Sequence, residues 1–147
     1  KQTGLPALAD DSGICVDVLN GRPGVYSARY AGEPKSDQRN NQLLIENLRT
    51  KQDRRAHYYC IIVLVRYADD PQPIITDGSW YGRIVLEPRG TGGFGYDPYF
   101  YLPDLGKTAA ELSIEDKNLI SHRGKALMRL TRYISEEALG GLGKDSE

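Results

Sequence analysis

The chain has 147 residues, of which 39% are hydrophobic, so it is long enough for one compact domain with a modest core. Its formal net charge of −1 excludes the strongly basic type of protein that binds DNA, RNA or anionic membranes through general positive charge. It has no run of eighteen apolar residues, which excludes a transmembrane helix, and no membrane partner is expected.

The N-terminal half predicts strands on either side of one helix. Residues 5–9 and 13–19 are typical of two short strands with a break between them. Residues 36–49 predict a helix, because Ser36 can cap its N-terminus and an apolar stripe follows. Residues 58–65 are apolar at both alternations, which indicates a central strand covered on both faces.

The second half predicts more sheet and then a helical end. Residues 73–87 indicate two strands, or one strand with a bulge, and residues 88–98 form a loop rich in glycine. Residues 99–102 predict a further short strand, and Ser113 with Asp116 has the spacing of a helix-capping box. An amphipathic helix follows. Its predicted core-facing stripe is Ala126, Leu127, Leu130, Tyr133 and Ile134.

These elements predict a single α/β domain over residues 1–147, with a mixed central β-sheet flanked by helices. Cys15 and Cys60 both lie in apolar runs, without a C-x-x-C spacing or a nearby histidine. We expect buried free thiols rather than a disulfide or a metal site, which is typical of a cytoplasmic protein.

Asp10 and Asp11 form the first candidate site. Neighbouring residues of a regular strand point to opposite faces, so both carboxylates can approach one site only if the strand breaks. Ser12 and Gly13 can provide this break. Two carboxylates at a turn suit Mg²⁺, which binds one or two carboxylates together with substrate phosphate oxygens. The alternative is an ordinary turn with two solvated charges.

The loop over residues 90–98 is the second candidate. Its glycines let the backbone approach a ligand closely, at Gly95 among others. Phe94 and Tyr96 offer flat faces on which a nucleobase can stack, and Asp97 can accept a hydrogen bond from a ring N–H. The alternative is a long bulged hairpin whose aromatic side chains pack into the core.

The third candidate lies at the start of the last helix. Arg123 precedes Ala126 and Leu130 by three and seven positions, which predicts that it points to the buried side of the helix. A buried arginine requires a ligand or an acidic partner, and an acidic residue at the edge of the core is the alternative. His122 flanks the same edge and Lys117 lies one to two turns away. Together the three candidates suit a purine nucleoside triphosphate.

Three segments carry a resemblance to a known family. Residues 8–32, 90–100 and 111–127 closely resemble the non-canonical purine NTP pyrophosphatases, the RdgB and inosine triphosphate pyrophosphatase family, and occur in the family's order. The resemblance implies hydrolysis of dITP, ITP and XTP to the monophosphate and pyrophosphate with Mg²⁺ as cofactor. It also implies a homodimer of α/β subunits, each with two lobes around a long central sheet.

The resemblance also implies roles for individual residues. Asp11 matches the catalytic base at the metal, and Asp10 matches a supporting position that contacts the metal through water. Phe94 matches the residue that stacks on the purine, and His122 with Arg123 matches the pair that contacts the 6-oxo edge. The implied substrate-binding residues are Ser12, Phe94, Gly95, Tyr96, Asp97, Lys117, His122 and Arg123.

The sequence departs from the family at its start. The family begins with a strand and a glycine-Asn-Lys phosphate loop, followed by a metal-binding Glu, and none of these occurs in this sequence. We therefore expect the natural protein to be longer, with its N-terminal part missing here. The alternative is a non-catalytic module that binds a purine nucleotide or serves in assembly.

Overall fold

The computed structural model describes the backbone of residues 6–145 and the side chains of residues 6–136. Six strands form one sheet in the order β2-β1-β3-β4-β5-β6, and every neighbouring pair in it is antiparallel. The predicted α/β class is confirmed. The strands are β1 (Ala7–Val16), β2 (Arg22–Gly24), β3 (Arg55–Val65), β4 (Ile74–Ile84), β5 (Phe100–Leu102) and β6 (Lys107–Thr108).

Three α-helices accompany the sheet: α1 (Asp37–Leu48), α2 (Ile114–Ile120) and α3 (His122–Asp145). The prediction for α1 is confirmed, since the hydroxyl of Ser36 accepts a hydrogen bond from the Arg39 amide at its first turn. None of the helices in the described part of the chain is long and apolar enough to cross a membrane. The main core is made by α1 and one face of the sheet. Its buried members include Ile14, Leu44, Leu48, Tyr58, Trp80 and Phe100.

The break predicted in the first strand is wrong. β1 pairs with β3 residue by residue, from Ala7 opposite Val65 to Val16 opposite Ala56. The backbone ladder to β3 outweighs the turn preference of the polar residues 10–12, because strand formation depends mainly on pairing context. β4 is likewise one strand without a bulge, paired one-to-one with β3.

The helix α3 lies across β3 and β4. Ala126 and Leu130 are buried against Cys60 and its neighbours, as predicted. Gly78 of β4 permits this contact, since a Cβ there would lie 2.2 Å from the carbonyl oxygen of His122. The rest of the predicted stripe is wrong, because these three side chains are not covered by the sheet. Leu127, Tyr133 and Ile134 are exposed.

Both cysteines are free thiols, as predicted. Cys60 is buried and Cys15 is half-buried. Burial, together with the nearby Asp17 carboxylate, raises the pKa of the Cys15 thiol, so this group stays protonated at neutral pH.

Candidate functional site

The three segments that the sequence singled out meet at the N-terminal end of α3. They line two cavities of about 370 and 800 Å³. Ser12, Phe94, Lys117 and His122 line both cavities, so the two spaces share a wall. The sheet brings Ser12 to this point, the loop before β5 brings Phe94, and the two C-terminal helices bring the two basic residues.

Asp97 holds the glycine-rich loop in place. Its carboxylate is buried and accepts three hydrogen bonds, from the hydroxyl of Tyr58 at 2.9 Å, the amide of Phe94 at 3.0 Å and the ammonium of Lys117 at 2.5 Å. Gly93 is required here, because its φ is +72° and a Cβ would lie 2.3 Å from the carboxylate. The bonds engage both carboxylate oxygens, so Asp97 fixes the loop to β3 and α2. Direct contact between Asp97 and a base stays a prediction.

The loop is also held from α1. Asp37 accepts a hydrogen bond from the amide of Gly95 at 3.0 Å, and the side-chain amide of Asn41 donates to the Gly95 carbonyl at 3.0 Å. Tyr96 is buried and donates its hydroxyl to the Ser27 carbonyl at 2.6 Å. The ring of Tyr96 packs in the core and also lines the smaller cavity, so its contact with a base stays a prediction.

Phe94 is the aromatic residue that the loop presents to solvent. Its side chain is 73% exposed, while its own amide and the following Gly95 are anchored by hydrogen bonds. The ammonium of Lys117 lies 4.9 Å from the centroid of the Phe94 ring, within the range of a cation–π contact. One face of the ring is thus held by a cation that is itself fixed by Asp97.

His122 packs against two neighbouring aromatic rings of the sheet as a neutral side chain. Its ring stacks on Tyr58 with 4.7 Å between centroids, and Trp80 lies 6.2 Å away. Burial lowers the pKa of His122 to about 4, against the opposing charge of Asp97. The nearby cations Arg123, Lys117 and Lys125 lower it further.

Two buried polar atoms in these cavities have no hydrogen-bond partner among the described residues. They are the hydroxyl oxygen of Ser12 and the Nδ1 atom of His122. Buried polar groups are nearly always paired in proteins, so a ligand or water is expected to supply the partners here, as for the two other unpaired buried atoms, Asn41 Oδ1 and the Tyr59 hydroxyl oxygen.

Asp10 and Arg123 form an ion pair at the edge of the larger cavity. The guanidinium of Arg123 lies 2.7 Å from the Asp10 carboxylate, and both side chains are about half exposed. The prediction that Arg123 points to the buried side of its helix is wrong, because α3 turns this position toward the edge of β1. The alternative interpretation of Arg123, pairing with an acidic residue at the edge of the core, agrees with its ion pair to Asp10.

Asp11 does not join this group. Since β1 is unbroken, Asp10 and Ser12 share the helix-covered face of the sheet and Asp11 points to the other face. There it is exposed near Tyr59, whose pKa is raised by burial and by the Asp11 charge. The predicted convergence of the two carboxylates is therefore wrong for the described structure.

The described residues offer a metal ion only a sparse site. No group of three or more His, Cys, Asp or Glu side chains within residues 6–136 could hold a metal. Asp10 is engaged with Arg123, whereas Asp11 makes no ion pair in the described part of the chain. Asp11 could supply one carboxylate to Mg²⁺, whose other ligands would be water and substrate phosphate oxygens, so the magnesium site stays a prediction.

Sequence comparison places the chain among known proteins. The Ham1 family model matches residues 1–133. The chain belongs to the Ham1 family. A dITP/XTP pyrophosphatase of Nitrosomonas europaea is 69% identical over 134 residues, which cover 91% of this chain and 66% of that protein. A dITP/XTP pyrophosphatase of Chromobacterium violaceum is 63% identical, with coverages of 88% and 66%.

Solved structures of Ham1 proteins share the fold. The HAM1 protein from Coxiella burnetii is 51% identical with a TM-score of 0.87, over 92% of this chain and 70% of that one. The Staphylococcus aureus Ham1 protein is 44% identical with the same TM-score and coverages. The resemblance to the purine NTP pyrophosphatase family is thus confirmed, and the chain spans 66% of the length of the first two relatives.

Sequence reasoning missed three residues that position the site. Tyr58 is one residue of an apolar strand, and Asp37 and Asn41 are polar residues in the first turns of a helix. Nothing in their local sequence distinguishes them. Their contacts to Asp97 and Gly95 span 39 to 58 positions along the chain, so only the fold brings them to the loop.

Proposed function

We propose that this protein hydrolyses the non-canonical purine nucleoside triphosphates dITP, ITP and XTP to the monophosphate and pyrophosphate. The observation that carries the proposal is the pair of orphaned polar atoms on Ser12 and His122, beside the exposed ring of Phe94. The names of the relatives, dITP/XTP pyrophosphatase, give the substrate class. To bind, such a substrate needs an aromatic face for stacking, polar groups that contact the base and a cation that contacts the phosphates.

The purine is recognised by stacking and by its 6-oxo edge. Phe94 stacks on the base, while the neutral ring of His122 and the guanidinium of Arg123 supply hydrogen bonds at the edge. Donors aimed at a 6-oxo group would face the 6-amino group of adenine, and a buried donor without an acceptor costs about 1–3 kcal/mol. The site therefore favours hypoxanthine and xanthine over adenine.

Asp11 is the proposed base that deprotonates the attacking water at the α-phosphorus. β2 pairs with β1 only at Ile14–Val16, so residues 7–13 lack a neighbouring strand on that side within the described structure. Asp11 lies on the face of β1 opposite Ser12, so the triphosphate must reach that face for attack at the α-phosphorus. Mg²⁺, held there by Asp11, would polarise the phosphate and neutralise the leaving pyrophosphate.

Pyrophosphate release from ITP tests this proposal, measured for this chain and for a version extended upstream. Asp11→Asn is expected to lower turnover at least a hundred-fold while ITP still binds, because general bases contribute factors of about 10²–10⁴. Asp104→Asn, an exposed acid elsewhere, is the matched control. Near-normal turnover in Asp11→Asn contradicts the catalytic role. ITP binding without turnover in both versions favours the non-catalytic module instead.

The homodimer and the cytoplasmic location belong to the same proposal. The free thiols of Cys15 and Cys60 support a reducing compartment. Sedimentation equilibrium across a range of concentrations tests the dimer. A single monomeric mass at all concentrations contradicts it.

A further inference from the structure

A third cavity, of about 480 Å³, lies away from the candidate site. It opens between the beginning of β3, the end of β4 and the segment that follows β4, and none of its lining residues belongs to the two cavities described above. Its lining contains two carboxylates, Asp53 and Glu87. The lining also contains four arginines: Arg54, Arg55, Arg83 and Arg89. We call this space the arginine cleft.

Two of the arginines are placed where a stable sheet would avoid them. Arg55 of β3 lies directly opposite Arg83 of β4 in the strand register. Like charges directly opposite each other on neighbouring strands destabilise a sheet. The chain as a whole has an excess of acidic residues, so this concentration of positive charge is not a general property of the surface. Local conflicts of this kind are expected at functional positions.

The charges of the two arginines are unequally compensated. Arg55 forms a double contact with Asp53, with its Nε and terminal nitrogen at 2.9 and 2.8 Å from the two carboxylate oxygens. Arg83 has no acidic partner and donates no hydrogen bond within the described residues; it lies over the ring of Tyr101 at 5.2 Å. The ring orients the guanidinium but leaves its N–H donors unused.

A third guanidinium is fixed beside the other two. Arg89 lies 5.6 Å from the same Tyr101 ring and contacts the Glu111 carboxylate at 3.3 Å. Its position is therefore set by groups outside the cleft. Arg54 is likewise held, since its Nε donates to the Leu48 carbonyl. Held guanidinium groups lose little side-chain freedom when an anion binds.

We propose that the arginine cleft binds a diphosphate-type oxyanion, with Arg83 as its principal ligand and Arg55 and Arg89 at its sides. Guanidinium groups match phosphate oxygens in paired, charge-assisted hydrogen bonds. The ligand supplies the anionic partner that Arg83 lacks, and its negative charge reduces the repulsion between Arg83 and Arg55. The anion comes either as free pyrophosphate or as the diphosphate of a nucleotide.

Nitrogen-15 NMR titration of the protein with inorganic pyrophosphate tests this proposal. Pyrophosphate is expected to shift the backbone amides of Arg55, Arg83 and Glu87 together with the Nε–H signal of Arg83. Arg83→Gln is expected to weaken the affinity read at the Arg55 and Glu87 amides at least ten-fold. A parallel titration with ADP distinguishes the sources, since tighter binding of ADP at these signals indicates a nucleotide and tighter binding of pyrophosphate indicates the free anion.

The matched control is Arg132→Gln, which removes an exposed arginine of α3 outside the cleft and leaves the affinity unchanged. The thermal midpoint of Arg83→Gln is expected to equal or exceed that of the wild type, because Arg83 lies opposite another arginine in the strand register and has no acidic partner among the described residues. Equal affinity at the Arg55 amide in wild type and Arg83→Gln overturns the proposal. Shifts confined to Phe94 and His122 also overturn it, and these would report only the candidate catalytic site.

Discussion

The buried ion pair of Asp97 and Lys117 can be tested through stability. The side chain of Asp97 is 5% exposed and that of Lys117 is 18% exposed. Removing one partner of a buried pair costs about 3–5 kcal/mol, because the other charge stays buried without compensation. Asp97→Asn leaves the ammonium of Lys117 partly exposed, so we expect the lower end, about 3 kcal/mol. Lys117→Met leaves the carboxylate with its bonds from Tyr58 and Phe94, and we expect about 2 kcal/mol.

The double variant separates pairing from packing. If the two charges act mainly on each other, the double variant Asp97→Asn with Lys117→Met loses less free energy of unfolding than the sum of the two single variants. The expected difference, which is the coupling energy, is about 2 kcal/mol. Urea unfolding followed by far-ultraviolet circular dichroism gives these free energies. Asp104→Asn, an exposed acid, is expected to stay within about 0.5 kcal/mol of the wild type. Additive single effects would refute the role of Asp97 as the residue that fixes Lys117.

Other parts of the site give three further predictions. Gly78→Ala should destabilise the fold by about 1–3 kcal/mol in the same urea assay, because the new Cβ meets the backbone of α3; a neutral effect would mean that α3 is not seated there. The pKa of His122 is lowered from 6.5 to about 4, so stability falls as the pH drops through this window, by about 3 kcal/mol in total. His122→Phe should flatten this part of the pH–stability curve, and an unchanged slope would assign it to other groups. Asp10→Asn should erode the preference for ITP over ATP to the same extent as Arg123→Gln, with no further loss in the double variant; a raised Mg²⁺ requirement would instead make Asp10 a metal ligand.

Local signals in the sequence were enough for several elements. Ser36 and the apolar stripe after it predicted α1, and Ser113 predicted the start of α2, where its hydroxyl accepts the amide of Asp116. A helix cap is a contact between residues three positions apart, so the sequence contains it entirely. Ser12, the glycine-rich loop and the start of α3 line the same cavities, whereas Asp10 and Asp11 line neither of them.

Pairing over long distances decided the features that were missed. The break expected at residues 10–12 is absent because β3, fifty residues further along, pairs with this segment. Helical spacing shows which residues share a face of α3, but it does not show whether another element covers that face. The predicted burial of Arg123 is wrong for this reason. The orientation of Asp11 follows from the same cause, since an unbroken strand sends it to the face opposite Asp10. The register of β1 was therefore the missing information.

The aromatic stack around His122 gives the protein a built-in optical reporter. Trp80 is the single tryptophan of the chain, it is buried, and its ring lies 6.2 Å from the His122 imidazole. An excited indole is quenched by a nearby protonated imidazole and is sensitive to changes in local polarity. We therefore expect emission from Trp80 to change when the charge or the contacts of His122 change, without a label or a coupled enzyme. Ligand binding and proton uptake at the candidate site can thus be timed in stopped-flow measurements on the unmodified chain.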